Sequence, residues 1–284
     1  MDPALDHSER HEEAEDRAPA HRLNVRVLRH RNHPGRDEPV MLARELITEG
    51  RFEEAIDLTS KSLDADPDDA DLLLTHGLAL RGNGALNTAQ LALTRAAKAD
   101  PDWEEPWRHL AEVLHARGRL AQAYAVAERG LELNPFDREL RAIFEQGELV
   151  VRAQRWIDGD RSTEDPAMLA QALLAIAQVD VAFEVTRAAL LDEYDDEDLL
   201  VTHARAARAK GDLDEAIGAL ELASFEAPDF AEVWRLLALC YEQRGEPDRA
   251  RQAAATGCEA APGDRALEAL HARLDDVGET MVTL

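Results

Sequence analysis

Lysine is nearly missing from this chain: it occurs only at Lys61, Lys98 and Lys210, and the rest of the positive charge is arginine. That bias fits a GC-rich genome and fits adaptation to salt equally well. Aromatic residues make up 5% of the chain and there are two cysteines, Cys240 and Cys258. Neither has the spacing of a metal or redox pair, and each falls among apolar residues of a helical pattern, where a buried reduced thiol is expected. Val, Ile and Thr are sparse, which argues against a large sheet. No apolar run approaches the length of a membrane span, and the N-terminus lacks the apolar core of a signal peptide, so a cytoplasmic protein is expected. Positive charge is also short. Against 58 acidic residues stand 32 basic ones, a net charge of −26. Such a field repels duplex DNA and anionic membranes.

What remains is a chain that is 45% apolar and dominated by Ala and Leu. That composition favours helices packed closely through small side chains. A fixed period organises it. Gly50, Gly84 and Gly118 are 34 residues apart, and so are Ala55, Ala89 and Ala123, and Pro67, Pro101 and Pro135. The pattern returns at Gly211 and Gly245, Ala216 and Ala250, and Pro228 and Pro262. Each residue type has a physical task. Glycine after a first helix takes a left-handed turn at low cost. Alanine in the second helix lets two backbones approach. Proline closes the second helix and opens the turn to the next unit. Trp107 and Leu110, or Trp234 and Leu237, fill the gaps between helices.

On these residues the chain resembles the tetratricopeptide repeat family, whose unit is two antiparallel helices. The resemblance is fullest at 104–137, with Trp107, Leu110, Ala111, Leu114, Gly118, Ala123, Ala127, Gly130 and Pro135. It is as full at 231–264, with Trp234, Leu237, Ala238, Tyr241, Gly245, Ala250, Ala254, Gly257 and Pro262. Further units fall at 36–69, 70–103 and 197–230, and a degenerate one at 163–196 carries Ala177 and Tyr194 where the turn glycine and final proline belong. The resemblance implies an all-α, right-handed solenoid of about six repeats in two triplets. The first array would occupy 36–137 and the second 163–264. Between them, 138–162 reads as one longer helix and a loop in which Ser162 or Thr163 could cap the next helix. Residues 265–284 read as a closing helix and tail. Residues 1–35 read as a flexible tail of blocky charge, interrupted by the alternating stretch at Leu23, Val25 and Val27.

Chemical motifs are weak. His7 and His11 have a metal-ligand spacing but sit in the tail without the glutamate of a zinc protease. The run from Asp64 imitates the start of a calcium loop, yet Asp69 and Thr75 stand where glycine and glutamate are required. The acidic run 192–198 lies on another turn, where carboxylates cap helices. No phosphate loop or nucleophile elbow is present. Neither a catalytic role, a cofactor nor a metal is expected.

The resemblance implies a concave groove lined by first helices that holds a partner's peptide or helix. Projecting the groove positions gives Arg44, Thr75, Arg81, Arg108, His109, His115, Thr202, Arg205, Arg208 and Arg235. Two readings stand side by side: these groups bind an acidic or amphipathic segment of a partner, or they neutralise groove acids such as Glu105, Glu112, Glu232 and Glu242. The positions that clamp chaperone C-termini in some relatives hold Val40, Arg44, Thr75, Glu105 and His109, a poor match. The expected function is a non-enzymatic adaptor or assembly scaffold. The alternatives are a self-assembling scaffold that uses its basic tail or array ends, and a regulatory subunit of an enzyme.

Overall fold

The computed structural model describes residues 37–161, 164–192 and 196–282, with side chains described between 38 and 275. The N-terminal stretch through residue 36, with His7, His11 and the alternating segment, lies outside the described residues. Among those described there are fourteen α-helices and no strand. They pair as antiparallel hairpins. The first three pairs are α1 (Asp37–Thr48) with α2 (Phe52–Ala65), α3 (Ala70–Gly82) with α4 (Leu86–Ala99), and α5 (Glu104–Ala116) with α6 (Leu120–Leu133). The longer α7 (Arg138–Ile157) follows. Three more pairs are α8 (Pro166–Ala175) with α9 (Val179–Leu191), α10 (Glu197–Lys210) with α11 (Leu213–Glu226), and α12 (Ala231–Gln243) with α13 (Pro247–Ala260). The last helix is α14 (Arg265–Val282).

The periodic residues occupy the places their chemistry demands. Ala55, Ala89, Ala123, Ala182, Ala216 and Ala250 are completely buried. A larger side chain there would push two helices apart. The glycines at 50, 84, 118, 211 and 245 all have positive φ and end first helices. The degenerate hairpin keeps this turn without glycine: Ala177 takes φ 58°, a strained conformation for a residue with a Cβ. Trp107 and Trp234 donate their indole N–H to the carbonyls of Pro101 and Pro228, at 3.1 and 2.8 Å, tying a first helix to the turn before it.

The aspartates of the inter-repeat turns act as helix caps. Asp69 accepts from the Leu72 amide at 2.9 Å, Asp137 from Leu140 at 3.0 Å, Asp196 from Leu199 at 2.6 Å and Asp264 from Leu267 at 2.8 Å. Each satisfies an amide that a helix start leaves unpaired. Helix α8 is capped by Asp165, which accepts from the Ala167 and Met168 amides at 2.8 and 3.2 Å. Ser162 and Thr163, the capping residues expected from sequence, lie outside the described residues.

The chain divides into two compact units. Unit 1 holds the described residues up to Arg119 together with Val126–Leu140, and unit 2 holds Leu120–Ala125 with Arg141 onward. In unit 2 a continuous core runs from Trp156 through Leu173, Leu199, Leu220 and Leu237 to Leu267. In unit 1 Ala43, Leu46, Ala55 and Ala79 pack together between α1, α2 and α3.

Candidate functional site

The first helices place the candidate groove residues, and consecutive first helices are joined through them. In unit 1, Arg81 of α3 makes a short ion pair with Glu112 of α5, and His109 Nδ1 approaches the same carboxylate at 3.0 Å. An ionised carboxylate only accepts, so Nδ1 carries the hydrogen, and the 3.3 Å approach of Arg81 to Nδ1 is a contact and not a bond. Burial by itself would push the Glu112 carboxyl up, but His109 and Arg81 outweigh it and hold the group below its ordinary value.

Unit 2 repeats the device with other residues. Glu232 of α12 accepts from Arg205 of α10 and from Arg235 one turn along, both at 2.7 Å. Burial pushes its carboxyl up, and the hydrogen bonds from Arg235 and Arg205 pull it below normal. Arg273 of α14 grips Glu242 of α12 with two bonds, at 2.6 and 2.7 Å, which lowers that carboxyl as well. Bidentate geometry makes such a pair stronger and more directional than a single contact.

The ten candidate residues therefore divide. Thr75 and Thr202 are fully buried and do not reach a surface. The Thr75 hydroxyl donates back to the Asp71 carbonyl at 2.7 Å, and Thr202 accepts from Gln171 at 3.1 Å. The Thr75 bond is local to α3 and the Thr202 bond crosses from α10 to α8; full burial on the packed side of a first helix corrects the assignment of both to the groove surface. Arg81, His109, Arg205 and Arg235 are held in the ion pairs above. Arg44 is exposed on α1, and His115 is half-buried near the end of α5. Arg108 is half-buried, with its Nε wholly buried and lacking a hydrogen-bond partner among the described residues. Arg208 is half-buried in the last turn of α10, and no carboxylate among the described residues pairs with it.

Two models of the tetratricopeptide repeat family match the chain, one over residues 40–102 and 201–265 and the other over 80–145. The chain belongs to the tetratricopeptide repeat family. Among solved structures it is similar to the P58(IPK) TPR domain, at 16% identity and a TM-score of 0.42, over 88% of this chain and 67% of that one. It is similar to the TPR2AB domain of yeast Sti1, solved as a pHSP90 complex, at 14% identity and 0.41, over 84% and 98%. It is also similar to YrrB, described as a TPR protein with an unusual peptide-binding site, at 17% and 0.35, over 76% and 97%. Likeness at this level says nothing of what this chain binds. No curated protein matches the chain.

Burial raises the Cys240 and Cys258 thiols, away from the thiolate a nucleophile needs. Among the described residues no cluster of three or more His, Cys, Asp or Glu could hold a metal, and no helix is long and apolar enough to cross a membrane.

One constellation was not read from the sequence. Thr59 of α2 is buried, and its hydroxyl lies 2.9 Å from Nδ1 of His76 on α3. Thr186 of α9 stands 2.8 Å from Nδ1 of His203 on α10, and both are buried. The two pairs are 127 residues apart along the chain. A signal was present: the strings DADLLLTH ending at His76 and DEDLLVTH ending at His203 share that spacing.

Proposed function

We propose that this tetratricopeptide protein is a non-enzymatic adaptor whose first helices hold acidic segments of a partner protein, through Arg108 on unit 1 and, separately, through Arg208 on unit 2. The observation that carries the reading is the division among the cations. Arg81, Arg205 and Arg235 are already bound to Glu112 and Glu232, whereas among the described residues the buried Nε of Arg108 has no hydrogen-bond partner and no carboxylate pairs with Arg208. A guanidinium partly withdrawn from water without a partner gains from a carboxylate brought by another molecule, because the cost of desolvating it has already been met.

The test is affinity capture from native lysate with wild type beside Arg108→Glu, Arg208→Glu and Arg81→Glu, with helicity followed by circular dichroism. A partner retained by wild type and lost with the first two, at unchanged helicity, supports the reading. Equal capture by all forms refutes it. Arg81→Glu reports on the internal pair and should lower stability before it lowers binding.

A further inference from the structure

The Thr–His pairs of the two units are alike in their bond and unlike in what covers the imidazole. In unit 2 the ring is sealed: His203 is 1% exposed, Phe183 stacks on it at 5.0 Å between centroids, and Glu215 Oε1 lies 3.2 Å from Nε2. Lys210 sits 4.4 Å from the centroid of the same Phe183 ring, with Arg187 at 5.8 Å. In unit 1 His76 is half-buried and lines an open cleft of about 480 Å³. The walls come from Ser60 and Leu63 of α2 and from Thr88 and Leu91 of α4, with Leu73 and Leu80 of α3 beside the histidine.

The 127-residue register shows what differs. Ile56 stands where unit 2 has Phe183, Thr88 where it has Glu215, and Ser60 where it has Arg187. Among the described residues of unit 1 these three positions therefore carry no ring, no carboxylate and no cation, while the Thr–His bond beneath them is retained; the carboxylate that does line the cleft, Asp64, comes from the last turn of α2. Among the described residues only Nδ1 of His76 is hydrogen-bonded. Leu91 is 65% exposed at the mouth, a large apolar side chain left in water. Arg95 lines the same cleft, bonded to the Pro67 carbonyl and 3.5 Å from the exposed Asp68, so its charge is only partly answered. His76 and Arg81 are five residues apart on α3, about 140° around the helix at 3.6 residues per turn. The cleft is thus a different face from the ion-paired surface above.

We infer that the unit 1 cleft between α2 and α4 is a second docking site, and that it takes a partner segment carrying an aromatic side chain beside a carboxylate. The aromatic ring covers the His76 imidazole and meets Leu91, as Phe183 covers His203. The carboxylate meets His76 Nε2 and Arg95, as Glu215 meets the Nε2 of His203. A hydrophobic anchor with one or two convergent polar groups is the usual form of a peptide-side-chain pocket. The site stands apart from the first-helix reading and does not need it.

The experiment is selection of a random peptide library on the full chain, with counter-selection on the double variant Ser60→Arg/Thr88→Glu. Both positions are exposed, so the variant keeps the fold while supplying two of the groups that close unit 2. The expected result is enrichment of peptides with Phe, Tyr or Trp within two or three residues of Asp or Glu. They should bind the variant at least about tenfold more weakly than wild type and bind Arg108→Glu as well as wild type. Addition of a selected peptide should shift the His76 ring resonances and leave those of His203 in place. Failure to enrich any peptide, enrichment without the aromatic–acid pair, equal binding to the variant, or an unmoved His76 would each overturn the inference. Loss of binding only with Arg108→Glu would return the peptide to the first-helix surface.

Discussion

Units 1 and 2 carry the same parts 127 residues apart and use them differently. Kept in both are the aspartate caps Asp69 and Asp196, the Trp107 and Trp234 bonds to proline carbonyls, and the Thr59–His76 and Thr186–His203 pairs. These hold one helix to the next, and removing one partner of a buried pair leaves the other polar group without its bond. What differs lies around them. Arg81 has Glu112 and His109, whereas its counterpart Arg208 faces a sequence with Leu239 and Leu236 at the matching positions. His76 lines an open cleft, whereas His203 is sealed. The conserved parts are the hydrogen bonds that make hairpins stack, and the variable parts are those that decide which surface is left for another molecule.

The largest expected difference between units is steric. A Cβ on Gly257 would collide with Trp234 Cβ and come within 2.7 Å of Leu267 Cδ2, while on Gly130 its one close approach is the Leu140 side-chain end, Cδ1 at 2.7 Å, with Trp107 Cβ at 3.6 Å. The end of a leucine can turn away, but a tryptophan Cβ cannot. Gly257→Ala should therefore cost about 2–3 kcal/mol and Gly130→Ala about 1 or less, since alanine regains helix propensity. Equal shifts in urea midpoint would dissolve the distinction. Next come the threonines. Thr186→Val removes the partner of a buried imidazole and should cost about 2 kcal/mol, whereas the half-exposed His76 recovers water after Thr59→Val, for about 1 or less. Hydrogen exchange in α10 against α3 reads the two separately.

Acid gives the third comparison. Burial lowers the imidazole of His203 against the upward pull of Glu215, and burial followed by Arg95 lowers that of His76. A folded-state value below the unfolded one of about 6.5 means that the unfolded chain binds more protons as pH falls below it, so stability drops there. The slope is at most about 1.4 kcal/mol per pH unit for each histidine. The ion-paired carboxylates Glu112, Glu232 and Glu242 lose their contribution as pH falls from the ordinary carboxylate value through their lowered folded-state values, a separate and more acid window. Urea titrations between pH 7 and 5 on wild type and His203→Gln should show the loss reduced in the variant, and an unchanged pH profile would remove His203 from the account. The smallest effect is at the turns. Ala177→Gly should stabilise by about 1 kcal/mol and Gly50→Ala destabilise by about as much, because both positions have positive φ. Opposite signs in thermal melts are the expected result.

The repeat was legible because hairpin packing imposes local demands at a fixed spacing: a small residue at Ala55 or Ala216, a left-handed turn at Gly50 or Gly211, a stop at Pro67 or Pro228. Each can be read from one position and its period. The groove was legible only as a list. Sequence spacing placed Thr75 and Thr202 on the first helices but not their burial, which depends on how closely the neighbouring helix lies. It also named Arg81 and Glu112 together without showing that they meet.

By itself, then, the sequence determined the helical hairpins and their period, because these follow from backbone chemistry within one unit; the cap of α8 fell to Asp165 and not to the residues expected before it. Tertiary structure alone decided which arginines are occupied and which histidine is covered. Those outcomes depend on side chains 17, 27 or 31 residues apart meeting across helices. A one-residue change such as Thr88 in place of Glu215 alters the surface and leaves the period untouched.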